Sequence, residues 1–527
     1  MIDVLHAFDP SADREWTAAR FAEWLRSHEH GDRVLVVTNR EPVTHELDPD
    51  GHPVPQFASS GVVNALAPLV RGCSATWIAA GTGTADRAVC LERDGLLVDN
   101  GGARHRLRRV WLNPLEQAGY YAGCANEALW PLCHDAHVKP VFRPDDFSTY
   151  WAVNARFADA VRDEATSASP LVLVQDYHFA LLPMILRERV PDSTIVSFWH
   201  IPWPAWDRFR ICPWREHLIH GLLGSDIAAF QTDADATRFM ETVARTLEAR
   251  VDHEQRTITC KRHRVLVRSY PASIEWPSPW TSGLPSAAAC RAAVRRELGL
   301  RDGVQLGVGV DRLDYTKGLE EKFLAIEYLL ASHAEVAGRF VFVQLAQPSR
   351  SSLPGYQALR ARVLETVDRV NRCWGTDEYR PIILLEGFHP PTAIYRFFRA
   401  ADLCYVASLH DGMNLVAKEF ISARDDLRGV LVLSAFTGAA HELNAALIVN
   451  PYDLDGTARA LARALRMPDA QQRDRMRQLR AHVAEFSAHR WAAEMLADAM
   501  QLVADRRRRL KSGLAEWPRR VGTVAAS

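Results

Sequence analysis

Two cationic residues, Arg312 and Lys317, stand between a predicted strand and a predicted helix. They lie in the stretch GVDRLDYTKGLEEK, where Gly318 opens the helix. Two cations beside the unpaired N–H groups of a helix start suit a diphosphate, because guanidinium, ammonium and amide donors all stabilise anionic oxygens. Considered alone, the stretch is equally compatible with a surface turn whose charges are solvated.

A second stretch, DGMNLVAKE, begins at Asp411 and ends at Glu419. The turn after Asp411 places the N–H groups of Met413, Asn414 and Leu415 at a helix start, where a diphosphate can bind. Glu419 follows Asn414 by five residues, roughly 7.5 Å along a helix. That is about the step from a diphosphate to a ribose, whose hydroxyl pair a carboxylate accepts. The alternative is an N-capping aspartate and an unrelated glutamate on the helix face.

Four further polar residues follow predicted strands. Asp176 lies in QDYH and His200 in WHIPWP, where they can orient sugar hydroxyls, move protons or form a structural pair. Arg40 in TNR and Arg350 in AQPSR can each bind a phosphate through a guanidinium fork. Ligands of open parallel sheets bind beyond the carboxyl ends of the strands, which favours a shared site.

Aromatic residues form a cluster in GYYAGCANEALWPLCH (119–134). Tyr121 and Trp130 could stack on a sugar ring, and core packing explains them equally well. Among common catalytic motifs, the P-loop, GxGxxG after a strand, HExxH and GxSxG are all missing from the sequence. Their absence excludes the most frequent nucleotide hydrolases, dehydrogenases, metalloproteases and serine hydrolases.

Short apolar runs alternate with helical patterns, which predicts α/β architecture with parallel sheets. Residues 11–30 predict an amphipathic leading helix, and the turn-rich residues 41–61 predict a long functional loop. The Pro/Ser/Gly-rich segment 275–292 is the best candidate for a linker. The basic run 505–513 predicts a solvated helix end.

Length and composition narrow the class of protein. The chain has 527 residues, which is more than one core usually supports, so two domains are expected. With 63 basic and 64 acidic residues, neither nucleic acid nor a membrane surface is the expected partner. Nine scattered cysteines, an N-terminus without a signal sequence and no long apolar stretch predict a cytoplasmic protein.

Taken together and in order, ten motifs resemble the trehalose-6-phosphate synthases, which are retaining glycosyltransferases of family 20. The motifs are TNR, YYAGCANEALWP, QDYH, WHIPWP, FQT, DRLDYTKG, AQPSR, DGMNLVAKE, GAAHEL and ALIVNPYD, within residues 33–467. The resemblance implies the GT-B fold, in which two Rossmann-like domains face each other across a cleft. It predicts an N-terminal helical extension (1–32), an acceptor domain (33–275), a nucleotide-sugar domain (286–467), and C-terminal helices with a basic tail that cross back to the N-terminal domain (468–527).

The resemblance also implies an activity: transfer of glucose from a nucleotide-glucose, usually UDP-glucose, to glucose 6-phosphate, giving trehalose 6-phosphate. It assigns donor-binding roles to Ser60, Gly61, His200, Arg312, Lys317, Asp411, Met413, Asn414, Leu415 and Glu419, and acceptor-binding roles to Arg40, Tyr121, Trp130, Asp176 and Arg350. The residues expected to matter most for catalysis are His200, Asp176, Arg312 and Lys317. Because cations and helix N–H groups stabilise the leaving diphosphate, no metal or other cofactor is expected to be required. A homo-oligomer is compatible with the family.

The first third of the chain departs from the family pattern. Ser60-Gly61 replaces the Gly-Gly pair expected in the loop approaching the donor, and serine adopts positive φ less readily than glycine. Ala80, in TWIAAG, stands where a tryptophan that contacts the acceptor is often found. The loop after TNR is also longer than in the simplest members. The acceptor is therefore the part of the function that the resemblance defines least.

Three other functions stay open. A glucosylglycerol-phosphate synthase or another related enzyme would add glucose to a different small phosphate, and a pseudo-glycosyltransferase would join cyclitols through nitrogen. An inactive sensor of sugar phosphates is a hypothesis of another class. Such a sensor would be expected to lose the residues that bind the donor, whereas Arg312, Lys317, Asp411 and Glu419 are all present.

Overall fold

The computed structural model describes residues 16–27, 34–57, 61–73, 75–99 and 104–511. Within these ranges the chain forms two compact units. The first comprises the described parts of Met1–Cys133, His137–Ala272 and Ala488–Ser527, and the second comprises His134–Ala136 and Ser273–Ser487. Across the described residues, no helix combines the length and apolar character needed to span a membrane.

The first unit is built on a ten-stranded sheet with the order β10-β11-β12-β9-β8-β7-β1-β4-β6-β5. The strands from β12 to β6 in this order are parallel, and the strands at both edges pair antiparallel. The strands of the first unit are β1 (Leu35–Arg40), β2 (Val43–Leu47), β3 (Pro53–Phe57), β4 (Thr76–Gly81), β5 (Gly95–Asp99), β6 (Arg104–Trp111), β7 (Leu171–Gln175), β8 (Thr194–Trp199), β9 (Ile227–Phe230), β10 (Arg250–Asp252), β11 (Thr257–Cys260) and β12 (His263–Ser269).

The helices of this part of the chain cover the sheet and connect its strands. They are α1 (Ala18–Ser27), α2 (Gly61–Cys73), α3 (Asp86–Val89), α4 (Pro114–Glu116), α5 (Trp130–Cys133), α6 (Pro144–Glu164), α7 (Leu182–Arg189), α8 (Trp206–Phe209), α9 (Arg215–Leu222) and α10 (Asp233–Thr246). Residues Gln117–Leu129 form a π-helical segment between α4 and α5. Wide turns of this kind are rare and occur often at functional sites.

The sequence predicted a long loop over residues 41–61, but the structure contains a hairpin there. Strands β2 and β3 form an antiparallel hairpin, in which Val43 pairs with Phe57 and Leu47 with Pro53. Residues 48–51 (DPDG) form the turn, with Gly51 at a φ of +82°. The prolines and charged residues hid two short strands from the sequence pattern, because β3 is exposed along its whole length and carries no buried apolar face.

The second unit contains a six-stranded parallel sheet with the order β15-β14-β13-β16-β17-β18. Its strands are β13 (Gln305–Arg312), β14 (Phe340–Gln347), β15 (Ile382–Glu386), β16 (Leu403–Val406), β17 (Val430–Ser434) and β18 (Leu447–Val449). Its helices are α11 (Ala287–Glu297), α12 (Leu319–Ser332), α13 (Pro354–Trp374), α14 (Pro391–Ala400), α15 (Leu415–Ala423), α16 (Leu454–Leu465) and α17 (Asp469–Glu485). The last helix, α18 (Ala488–Lys511), belongs to the first unit.

Both faces of the second sheet are buried, as expected for parallel strands. On one face Phe340 and Phe342 pack with Phe323 of α12, and on the other Val343 packs with Phe398 of α14. The predicted α/β class with parallel sheets is therefore confirmed. The predicted linker 275–292 is partly wrong, because α11 already begins at Ala287, where Ser286 caps its first turn.

Candidate active site

In the second unit, Arg312 and Lys317 lie at the carboxyl end of β13. Arg312 is the last residue of the strand, and Lys317 ends a short 3₁₀ turn over Tyr315–Lys317. Gly318 then begins the next helix with a φ of +61°, and an added Cβ would lie 2.3 Å from the carbonyl oxygen of Ala407. Glycine is needed here because the turn passes directly against the end of the neighbouring strand.

Asp314 holds the cations of this region together, a role that the sequence analysis missed. Its fully buried carboxylate lies 2.6 Å from Nη1 of Arg350 and 3.7 Å from Nη2 of Arg312. It also accepts hydrogen bonds from the backbone N–H and the hydroxyl of Thr316, both at 3.1 Å. Burial alone would raise the pKa of Asp314, but the charges of Arg350, Arg312 and Lys317 outweigh it and lower the pKa to about 2.

Asp411 binds the other cation of the pair. Its carboxylate forms an ion pair with the ammonium of Lys317 and accepts hydrogen bonds from Ser408 Oγ at 3.2 Å and Asn414 Nδ2 at 3.1 Å. Burial acts to raise the pKa of Asp411, and the adjacent Lys317 outweighs it, so the pKa is lowered. The sequence predicted only that Lys317 and Asp411 bind the same ligand. The structure shows that they also form an ion pair with each other.

Asn414 is the N-cap of α15. Its Oδ1 accepts a hydrogen bond from the N–H of Ala417 at 3.1 Å, and its φ is +82°. Asparagine tolerates this left-handed conformation better than most residues. Met413 packs its side chain into the core at 4% exposure, so only its backbone is available for a ligand, whereas Leu415 is half-buried.

Glu419 occupies the same helix one turn further on and is half-buried. Its carboxyl group makes no hydrogen bond or ion pair with the residues that the structure describes. Burial raises its pKa to about 7. A carboxyl group without protein partners is available to accept hydrogen bonds from a ligand.

In the first unit, Asp176 and His200 follow the adjacent strands β7 and β8. Asp176 has a φ of +75°, and its Oδ1 accepts hydrogen bonds from the N–H groups of Tyr177 at 2.9 Å and His200 at 3.2 Å. A backbone in this conformation is strained for an aspartate, and such strain is common at functional sites. The sequence left open whether Asp176 and His200 form a pair. In the structure they are connected by the hydrogen bond from the backbone N–H of His200 to Asp176.

The ring of His200 is held by two glutamines that the sequence analysis did not single out. Nε2 lies 2.8 Å from Oε1 of Gln175, and Nδ1 lies 3.2 Å from Nε2 of Gln231. Gln231 in turn accepts a hydrogen bond from Ala272 N, which fixes the orientation of its amide. The ring therefore carries its proton on Nε2, and burial lowers its pKa to about 3. His200 is therefore a neutral ring of fixed orientation and does not act as a general acid.

The remaining predicted residues of the first unit differ in accessibility. Arg40 ends β1 and is exposed. Tyr121 is half-buried and stacks on the ring of His178, with 5.8 Å between centroids, whereas Trp130 is 6% exposed and packs against Tyr177. Gly61 is the exposed first residue of α2, and Ser60 lies outside the described residues.

Sequence signals for the missed residues existed but were ambiguous. Gln175 and Gln231 stand inside the motifs QDYH and FQT, and Asp314 stands between the two cations of DRLDYTKG. Among the residues described, no group of three or more His, Cys, Asp or Glu side chains is arranged to hold a metal ion.

Two units with parallel sheets, one of them with cations and a helix start at the carboxyl ends of its strands, define a two-domain α/β glycosyltransferase of the GT-B type. The model of glycosyltransferase family 20 matches residues 32–501. The chain belongs to this family.

Named relatives and solved structures agree with this assignment. The trehalose-6-phosphate synthase of Mycobacterium avium is 38% identical over 475 residues, which cover 88% of this chain and 94% of that protein. A solved E. coli structure bound with UDP-2-fluoro glucose has a TM-score of 0.78 and 29% identity, covering 89% of this chain and 99% of its own. A UDP-forming synthase from Burkholderia xenovorans, in complex with glucose-6-phosphate, has a TM-score of 0.77 at 29% identity and the same coverages.

The substitution Asp314→Asn tests whether this carboxylate holds the cation cluster. It leaves the guanidinium of Arg350, whose side chain is only 4% exposed, without its carboxylate. Breaking a buried pair in this way costs about 3 kcal/mol or more, which lowers the Tm of a unit of this size by roughly 6–12 °C. Differential scanning calorimetry measures the change.

The control is Glu327→Gln, which removes the more exposed ion pair between Glu327 and Arg369 in the same unit. A surface pair contributes little, so the Tm is expected to change by no more than about 2 °C. Equal shifts for the two variants would show that Asp314 is not an organising residue.

Proposed function

We propose that this chain transfers glucose, with retention of the anomeric configuration, from UDP-glucose to glucose 6-phosphate. The products are α,α-trehalose 6-phosphate and UDP. The proposal rests on one observation above all: the cations and the helix start of the second unit are arranged for a nucleotide diphosphate in a chain whose relatives are named trehalose-6-phosphate synthases.

The second unit supplies the residues proposed for the donor. Arg312 and Lys317 bind the diphosphate together with the N–H groups at the start of α15, and Glu419 accepts the ribose hydroxyls. Lys317 is paired with Asp411 in the structure. When a phosphate oxygen binds the ammonium of Lys317 in place of Asp411, the carboxylate of Asp411 becomes available to the hydroxyls of the glucose.

Breaking the glycosidic bond increases the negative charge on the diphosphate. Fixed cations and helix N–H groups therefore bind the transition state more strongly than the ground state, which is the requirement for catalysis. His200 is predicted to contact the transferred glucose, and its neutral ring, with both nitrogens bonded, does not accept the proton of the acceptor hydroxyl. The departing phosphate oxygen takes that proton as the new glycosidic bond forms on the same face.

The acceptor is proposed to bind through Arg40 and Arg350 at its phosphate and through Tyr121, Trp130 and Asp176 around its ring. The exposed guanidinium of Arg40 supports the first role. Arg350 is more constrained, because Asp314 and the hydroxyl of Tyr356 both lie 2.6 Å from its Nη1. Any phosphate contact by Arg350 must therefore use its other N–H groups. Separately, Ser60-Gly61 is proposed to approach UDP-glucose.

Several further features belong to the same proposal. Residues 33–275 are taken as the acceptor domain and 286–467 as the nucleotide-sugar domain, with 1–32 and 468–527 as extensions. We expect no cofactor, no nucleic-acid partner and a cytoplasmic location, which the nine free cysteines favour, and a homo-oligomer is compatible with it.

The first test of the function measures UDP release from purified protein with UDP-glucose. Release is expected only when glucose 6-phosphate is added, because the acceptor hydroxyl is the nucleophile. The same assay with EDTA is expected to give an unchanged rate. The product is identified by mass spectrometry and by its digestion with a phosphatase and a trehalase.

A panel of phosphorylated acceptors separates the proposal from its main alternative. The hairpin of β2 and β3, which follows Arg40, is the feature that favours a different acceptor. Activity with glycerol 3-phosphate and none with glucose 6-phosphate would replace the proposal with glucosylglycerol-phosphate synthesis. Absence of transfer to every acceptor, with retained binding of a sugar phosphate, would favour a sensor.

The ribose role of Glu419 predicts a pH dependence of donor binding. Burial raises the pKa of Glu419 to about 7, and only the ionised carboxylate accepts hydrogen bonds from both hydroxyls. Affinity for UDP-glucose is therefore present above pH 7 and is lost as the pH falls. Protonation reduces it about tenfold between pH 8 and pH 6.

Isothermal titration calorimetry with UDP-glucose checks this prediction, because its diphosphate does not titrate in that range. The variants Glu419→Gln and Glu419→Ala are expected to bind the donor weakly at every pH, with the KM of the acceptor little changed. A pH profile that persists in Glu419→Gln would contradict the role of this residue.

A further inference from the structure

Four ionisable side chains form a buried cluster next to the end of β1, whose last residue is Arg40. Glu41, Asp86 and Arg109 are all 0% exposed, and His45 is 8% exposed. They come from four separate parts of the first unit: the end of β1, the hairpin strand β2, helix α3 and strand β6. None of them has a role in the function described so far.

Arg109 reaches its partners across a neighbouring strand. In the sheet order, β4 separates β6 from β1, and Arg109 on β6 is paired with Ala79 on β4. Paired residues of parallel strands point to the same face, so the small side chain of Ala79 leaves the space through which the long arginine side chain passes. The guanidinium thereby reaches Glu41, the residue next to Arg40.

The contacts of Arg109 use nearly all its donors. Nε donates to Oε2 of Glu41 at 2.7 Å, and Nη2 lies 2.8 Å from Oδ1 of Asp86 and 3.0 Å from Nδ1 of His45. Nη2 also donates to the carbonyl oxygen of Val43 at 3.0 Å. One guanidinium therefore ties the end of β1 to the first residues of the hairpin.

The carboxylates complete the connection to the loop after β4. Oε1 of Glu41 accepts from the N–H of Thr82 at 2.9 Å, and Asp86 accepts from the N–H groups of His45 at 2.8 Å and Gly83 at 2.6 Å. Gly83 is required at this position, because an added Cβ would lie 2.6 Å from the carbonyl oxygen of His45. Two chain segments thus approach each other closely around one buried arginine.

Stability alone is a weak explanation for such a cluster. Removing several charges from water is costly, and apolar side chains of the same volume often stabilise a fold equally well. Directional contacts, by contrast, fix the positions of the groups they join. The residue adjacent to the cluster is Arg40, whose exposed side chain makes no ion pair within the described ranges.

We propose that Arg109, with Glu41 and Asp86, is a positioning residue for the acceptor-phosphate site. It holds the end of β1, and with it Arg40, and it fixes the hairpin of β2 and β3 beside that arginine. The inference rests on the proposed role of Arg40 in binding the acceptor. Arg109 itself does not touch the substrate, and its effect reaches the phosphate only through Arg40.

Two variants test the inference. Arg109→Lys keeps the charge but cannot bridge Glu41, Asp86 and Val43 at once, and Glu41→Gln keeps the shape and the contact with Thr82. Burial raises the pKa of Glu41 to about 7 despite Arg109, so the neutral amide is a mild replacement and this variant is expected to fold. Both are expected to raise the KM for glucose 6-phosphate about tenfold while kcat and the KM for UDP-glucose change less than about twofold.

A matched control separates positioning from general stability. Arg187 is another buried arginine of the first unit, bonded to Asp226 at 2.7 Å and to the carbonyl of Ser193. It lies at the amino ends of β8 and β9, on the edge of the sheet away from Arg40. Arg187→Lys is expected to lower the Tm to a degree similar to Arg109→Lys and to leave the KM of the acceptor unchanged.

A double-mutant cycle with Arg40→Ala decides the outcome. If Arg109 acts through Arg40, the increase in KM caused by Arg109→Lys disappears in the Arg40→Ala background. Additive effects, an unchanged KM in both Arg109→Lys and Glu41→Gln, or an equal increase in Arg187→Lys would overturn the inference. The wild-type assay gives a separate answer on the proposed function, because that function fails only if glucose 6-phosphate does not stimulate UDP release.

Discussion

Like charges placed together at the ends of parallel strands repel one another, and the second unit depends on two carboxylates that counter this repulsion. Asp314 binds Arg350 and faces Arg312, and Asp411 binds Lys317. Three cations are thereby held beside a helix start before any ligand arrives. Because two carboxylates balance three cations, the cluster keeps a net positive charge that suits a diphosphate. A cluster that is already ordered requires little rearrangement when charge develops on the leaving group.

The first unit solves a different problem with mostly neutral groups. Its strand ends carry Asp176, whose backbone is strained, and His200, whose ring is oriented by two glutamines. Neutral hydrogen-bonding groups of defined direction suit the hydroxyls of a sugar, which carry no net charge. The exposed Arg40 adds one positive charge at the edge. The second unit therefore presents fixed positive charges at its strand ends, whereas the first presents mainly neutral hydrogen-bonding groups.

The sequence predicted local features of this site and missed those that join distant segments. Arg312, Lys317, Asp411 and Asn414 were placed at strand ends and a helix start because glycine, charge and apolar runs mark these positions locally. The pairing of Asp314 with Arg350 spans 36 residues and has no local pattern. The two glutamines beside His200 stand in the motifs QDYH and FQT, but only the strand order β9-β8-β7 brings them together. The hairpin was taken for a loop because β3 is exposed along its whole length and has no buried apolar face.

Arg109 illustrates why a match of motifs does not define the acceptor site. Arg109 lies two strands from Arg40 in the sheet and contacts Glu41, Asp86 and the hairpin. Its path depends on the small side chain of Ala79 and on the close approach of Gly83 to His45. A larger residue at Gly83 would force apart the hairpin and the loop after β4. Packing in the interior of the sheet thus fixes the end of β1 and the hairpin, and sequence motifs for substrate contacts carry no information about that packing.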